Sequence, residues 1–227
     1  MKPMITVVRY HLLAPVLLLG TPWAALAFTF AVNVARGGST FRGGVASMFI
    51  MFFFAGAQRI GRWLPFGLAL GVSRRSFYAG TALLGLSMSL LSGLAIAGLQ
   101  AIERATGGWG LSIAFFRVPY LLDGPWYATW LTSFVGLSAL FVYGMWYGIV
   151  NRRWGMLGVL AFIALQVLVA LAVSLPEPGR VWSFAYSWSY VGRHLGGLTA
   201  LDLTGVVAGL TLVFLVGGHV TIRRAAV

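Results

Sequence analysis

The sequence predicts an all-α membrane protein of six transmembrane helices, with both termini on the cytoplasmic side. Three observations carry that expectation. Hydrophobic residues make up 59% of the 227 positions and charged residues only 9%, whereas a soluble domain carries about 25% charged residues. Mean hydropathy is +0.90, and the apolar residues gather into six runs near the ~20 residues that a helix needs to cross the hydrocarbon. Basic residues outnumber acidic ones by 16 to 4 and fall unequally on alternate sides of those runs.

The first run covers residues 12–34. Lys2 and Arg9 precede it, and Ala25-Leu26-Ala27 fits a signal-peptide cleavage site. The apolar stretch continues past that site to Val34, and cleavage would leave five spans, so a retained helix is expected. The second run, 43–58, is somewhat short; the third is 78–99. The fourth and fifth, 129–150 and 154–175, are separated only by the turn around Asn151-Arg152-Arg153. The sixth is 203–220. No repeat or low-complexity linker divides the chain, so residues 1–227 read as one transmembrane domain.

Six spans put Lys2, Arg9, Arg59, Arg62, Arg74, Arg75, Arg152, Arg153, Arg223 and Arg224 on one side. Only Arg36, Arg42, Arg104, Arg117, Arg180 and Arg193 fall on the other. The richer side is expected to be cytoplasmic. Glu103, Asp123, Glu177 and Asp202 fall at or beyond the outer ends. The net charge of +12 does not point to nucleic acid, because the arginines are scattered in ones and twos rather than gathered on one polar face. The chain has no cysteine, which excludes disulfides, thiolate metal sites and a cysteine nucleophile.

Between the second and third runs lies RIGRWLPFGLALGVSRRSF, residues 59–77. Pro65 and the glycines are expected to break a long helix here, and the apolar part is too short to cross. It reads as an amphipathic segment at the inner surface, with Trp63, Phe66 and Leu70 toward lipid or protein and the arginines toward water. Arg74 and Arg75 then read as interfacial anchors for lipid phosphates.

The string FGLALGVSRRSFYAG, entered from a span ending at Gln58, resembles permease subunits of type-2 ABC exporters. ATGGWG at 105–110 and NRRWG at 151–155 are similar to the small bacterial members of that family. The resemblance covers nearly the whole chain; one departure is the short N-terminal stretch, where many relatives carry a longer amphipathic helix. It implies that the cytoplasmic segment 62–77 is a coupling element on which a separate P-loop ATPase subunit docks, through Phe66, Leu68, Leu70, Val72, Arg74, Arg75 and Phe77. It implies a second, identical or paralogous permease subunit with which the pathway is formed. It implies ATP and Mg in the partner and no cofactor in this chain. Exposed ion pairs contribute only ~0–1 kcal/mol each, so apolar contacts would carry most of the docking affinity. An apolar molecule, lipid or amphipathic peptide suits such a pathway better than an ion.

The chain itself lacks the chemistry of an engine. No GxxxxGK[ST] loop occurs, and Lys2 is the only lysine. The carboxylates near the ends weigh against proton coupling within the membrane. No HExxH or GxSxG occurs, and His11, His194 and His219 lie near span ends or in an outer loop, so an intramembrane enzyme is the weaker alternative. A subunit that binds a partner or senses a ligand without transporting is the other alternative.

Within the spans, Ser87, Ser89 and Ser92 either bond back to the helix or line a path. Gln166 must find a partner for its amide, either another helix or a substrate path. Ser89 and Gln166 are the pathway candidates. Gly144–Gly148 and Gly205–Gly209 have the GxxxG spacing that lets backbones approach, and Ser89, Gly93 and Ala97 continue a small-residue face. In the outer segment 176–201, Trp182, Phe184, Tyr186, Trp188 and Tyr190 recur at every second position. They suit a strand with one aromatic face, a helix buried between lipid and protein, or an interfacial belt. The family resemblance implies an outer gate there.

Overall fold

The computed structural model describes residues 15–36, 44–112, 114–118, 121–122, 124–174 and 199–222. Every regular element among them is helical. The long helices are α1 (Pro15–Ala35), α2 (Ala46–Gln58), α4 (Arg74–Ala105) and α7 (Ala200–Ile222), with the short α3 (Leu64–Ala69) after α2. The helical run Trp126–Ser174 is broken at Gly155, whose φ of 64° and ψ of −160° reverse the chain. Its two arms are α5 (126–154) and α6 (156–174). In one unbroken helix Tyr143 and Gln166 would lie ~34 Å apart, yet the Tyr143 hydroxyl bonds the Gln166 side chain. The reversal is therefore present but falls at Gly155, past the turn expected at Asn151-Arg152-Arg153, which remains helical; it rests on a backbone conformation that glycine adopts without strain.

Contacts at the two ends fix the direction of each helix. At one end, the turn end, Arg152 Nε donates to the Gly61 carbonyl at 2.8 Å, and the Tyr78 hydroxyl donates to Leu215 O at 3.0 Å. At the other, the loop end, Thr29 meets Ser47 at 3.2 Å, Thr132 meets Thr204 at 3.0 Å, and Gln100 Nε2 donates to Leu122 O. Successive long helices thus run antiparallel from α1 to α7.

Among the described residues three helical runs are long and apolar enough to cross a membrane: Arg74–Ala105, Trp126–Val169 and Ala200–Ile222. The distribution of side chains agrees with hydrocarbon as the solvent. Leu157 is 79% exposed and Val213 68%, while Thr81, Ser89, Thr129 and Ser133 are fully buried. Small and hydroxyl side chains inside, with large aliphatics outside, is how helices pack when lipid is as apolar as leucine.

Two expectations need correction. The second run ends at Gln58 as expected, but the broken segment expected after it is not found. Instead α2 passes through a wide turn, Arg59–Trp63, directly into α3. Pro65 does not break this path because it sits in the first turn of α3, where its missing N–H is not needed. The third helix also exceeds its expected 78–99: α4 has 32 residues and spans ~48 Å, longer than the ~30 Å of hydrocarbon. Its polar ends remain helical, and Ser73 caps the start by accepting from the Ser76 N–H at 3.2 Å.

The centre of the bundle is the contact of α2 with α5. A Cβ on Gly56 would strike the Phe141 carbonyl, and one on Gly144 the Phe53 carbonyl. A Cβ on Gly148 would come within 2.8 Å of Ala57 O. These helices therefore meet backbone to backbone, and the first of the two GxxxG spacings makes this contact. Gly205 and Gly209 meet nothing within 4 Å. On α4, Gly93 lies against the Phe134 N and Trp130 O of α5, with Ser89 and Ala97 buried beside it.

Gly144→Leu should separate α2 from α5 and destabilise the fold by more than ~3 kcal/mol, the upper range for overpacking. Gly205→Leu should be nearly neutral. Thermal unfolding of the two detergent-solubilised variants checks the contrast; equal losses would contradict the contact.

Candidate functional site

At the turn end, residues 59–77 form a small platform beneath the bundle. Its foundation is buried. Ile60 is fully enclosed, Leu64 is 4% exposed, and Arg59 is also only 4% exposed, with its guanidinium 5.4 Å from the centre of the Trp63 ring. Phe77, 1% exposed, closes the platform from the side of α4, and a Cβ on Gly67 would approach its Cδ2 to 2.6 Å. The chain then turns through Gly71, at φ 79°, with Val72 N bonded to Gly67 O at 3.1 Å. That turn hands the chain to Ser73 and the start of α4.

The docking residues expected from the sequence divide accordingly. Phe66 is 50% exposed and Leu70 59%. Arg75 is exposed, and Arg74 half-buried. Leu68 and Val72 pack partly against the core. Phe77 belongs to the core itself, so it supports the platform and offers no surface. Exposed Arg62, Arg152 and Arg153 lie at the same end. The arrangement is an exposed apolar pair at an end that also carries exposed arginines, on a base held by Arg152 and Phe77.

Arg74 and Arg75 occupy the first turn of α4. The positive end of a helix dipole disfavours cations by about 0.3–1 kcal/mol each. Helix stability therefore does not account for the pair.

Of the pathway candidates, Ser89 is fully buried and donates to Gly85 O of its own helix at 2.8 Å. Gln166 ties α6 to α5: it meets the Tyr143 hydroxyl and donates from Nε2 to the Tyr147 hydroxyl at 3.0 Å. Phe53 and Phe162 pack around that pair, their rings 5.1 Å from Tyr147. His219 lies edge-on to Tyr78 at 5.9 Å. Trp182, Phe184, Tyr186, Trp188 and Tyr190 lie outside the described residues, as do His11 and His194. Among the described residues no three His, Asp or Glu side chains gather as a metal site would require.

The loop end holds a group that sequence reasoning passed over. Glu103, 2% exposed, accepts from the backbone N–H groups of Phe115 at 3.0 Å, Phe116 at 2.9 Å and Arg117 at 3.3 Å. Trp109 Nε1 donates to it as well, at 3.2 Å. A buried carboxylate is tolerated when its lone pairs are filled this way, and charge-assisted bonds of this kind are the stronger ones. Phe115 and Phe116 then pack edge-on at 5.0 Å, and Phe30 of α1 sits 5.1 Å from Phe115. The carboxylate thus folds the 106–118 segment over α1. The glycines and Trp of ATGGWG were the only signal of this in the sequence: Trp109 has a φ of 61°, and Gly107, Gly108 and Gly110 also have positive φ.

No protein-family model matches the chain, and no curated protein or solved structure matches it significantly.

Glu103→Gln should loosen this end, because the amide NH2 faces N–H donors that then lack an acceptor. The expected loss is about 1–3 kcal/mol, which corresponds to a drop of several degrees in Tm. Faster protease cleavage within 106–118 should accompany it. An unchanged cleavage rate would show that the carboxylate does not hold the segment.

Proposed function

We propose that this chain is the membrane-spanning permease subunit of an ATP-driven exporter resembling the type-2 ABC family. In this reading all six long helices cross a bacterial inner membrane, with the turn end and both termini in the cytoplasm. A second permease subunit completes the substrate pathway. ATP and Mg are bound by separate P-loop subunits that dock at residues 62–77.

The observation that best supports this reading is the platform. A free amphipathic loop would need no buried base, but this one is anchored by Ile60, Leu64 and Phe77 and bonded to the α5–α6 turn through Arg152. It presents exposed Phe66 and Leu70 at a cationic end. Because α3 is continuous with α2, and Ser73 starts α4, a force on the platform acts on two bundle helices directly. That is the mechanical requirement for coupling ATP binding to helix packing. The cationic first turn of α4 gives an acidic partner surface something to oppose.

Purification from the native host in mild detergent tests this. A stoichiometric P-loop ATPase should co-elute. Replacing Phe66, Leu70 and Arg75 together by alanine should reduce its recovery at least tenfold, since exposed apolar anchors carry most of such an interface. The permease itself should keep its Tm, because none of the three is part of the core. A preparation that holds no ATPase even after crosslinking would sink the exporter reading and leave the arginines as lipid anchors.

A further inference from the structure

Near the loop end a cavity of about 360 Å³ opens between α2, α5, α7 and the residues Val118, Leu121 and Leu122. Phe49, Leu122, Val135, Leu203 and Val207 supply its apolar walls. Among the described residues, Thr132 and Thr204 are the only polar side chains in the lining. The volume lies at the small end of ligand pockets, which run from about 300 to 1,000 Å³. Ala46 of the lining is exposed, and Ile50, one turn further along α2, is exposed as well.

The two threonines determine what the walls can recognise. Thr204 Oγ1 donates its one proton to Ala200 O at 2.7 Å. The 3.0 Å contact between Thr132 and Thr204 must then be donated by Thr132. Both protons are spent, and what remains is acceptor capacity on hydroxyl oxygen. A carboxylate or phosphate would find no donor among these side chains and no cation. An ammonium would find no counter-charge. A pure hydrocarbon would leave that acceptor unused. An apolar body carrying one O–H matches walls and acceptor together.

We propose that this cavity is a binding site for a small apolar alcohol, a single hydroxyl on an aliphatic or compact ring body, entering from the surrounding hydrocarbon. The site takes one chain end or ring system and not a two-chain phospholipid. It rests on α5 and α7 lying in a membrane and is independent of any ATPase partner.

The test uses the full chain in phosphatidylcholine vesicles and two photolabels, a diazirine-bearing octanol and the matching diazirine-bearing octane. Peptide mapping should place the octanol adducts on Phe49, Val135, Leu203 or Val207, displaceable by unlabelled octanol. Octanol should label these positions about five- to tenfold more than octane, as one well-placed hydrogen bond allows. The double variant Thr132→Val, Thr204→Val keeps the shape and removes the acceptors, so the ratio should fall toward one. Val207→Trp should abolish both adducts. Adducts spread over the exposed faces of α6 and α7, with none enriched in the cavity, would overturn the site. Adducts in the cavity with equal octanol and octane yield in the unaltered chain would overturn the alcohol assignment, and that comparison needs no variant to fold.

Discussion

The backbone contact between α2 and α5 is the constraint on which the rest of the bundle depends. Only glycine permits it, at Gly56 on one helix and at Gly144 and Gly148 on the other. In hydrocarbon there is little hydrophobic drive between helices, so close packing supplies the attraction. The contact sets how deeply α2 enters the bundle, and therefore where its continuation emerges. Ile60 is enclosed against Gly148 because α2 is already pressed on α5 one turn earlier. The Gly61 carbonyl comes within reach of Arg152 for the same reason. The platform at the turn end is thus a downstream result of packing at mid-bundle.

The two ends of the molecule solve the problem of polar groups near a membrane differently. At the turn end exposed arginines and an exposed apolar pair lie at the same end of the bundle, above the buried Arg59. At the loop end Glu103, the one other buried charged side chain among the described residues, is satisfied by the chain itself. Glu103 substitutes for the missing secondary structure of 115–117 by accepting its N–H groups. Four other polar atoms, Thr129 Oγ1, Trp130 Nε1, Ser133 Oγ and Ser138 Oγ, are buried in α5 without a protein partner. Each such group costs about 1–3 kcal/mol unless a water reaches it. The hydroxyls of Thr129, Ser133 and Ser138 therefore do not hold α5 in the bundle; its glycine contacts and the bonds of Thr132, Tyr143 and Tyr147 do.

Much of this architecture was legible in the sequence. Apolar runs marked every long helix, and NRRWG marked the reversal, because Gly155 is where a non-glycine would be strained. The interhelical partner of Gln166 followed from the cost of a lone amide in hydrocarbon. Other features were hidden for identifiable reasons. Pro65 reads as a breaker, but at the start of α3 it is compatible with a helix. The polar ends of α4 fall outside any apolar window, yet backbone hydrogen bonding does not stop where hydropathy does. The cradle of Glu103 was invisible because its partners are main-chain N–H groups, which have no residue code. Within the platform, the exposure of Phe66 and Leu70 follows amphipathic logic. The burial of Phe77 does not: it lies at the start of a helix whose direction is set by tertiary packing.

The length of α4 has a geometric consequence. It is one proline-free helix whose first turn carries Arg74 and Arg75 and whose last turn carries Glu103. A rod of ~48 Å converts a tilt of about 5° around its midpoint into a ~2 Å excursion at each tip, in opposite senses. Two ångströms is on the order of the helix shifts by which packed interfaces change state. It is also enough to break the 2.9 Å bond from Phe116 N to Glu103. The cap over α1 and the cationic turn are therefore opposite ends of one rod, and a tilt about its midpoint displaces both.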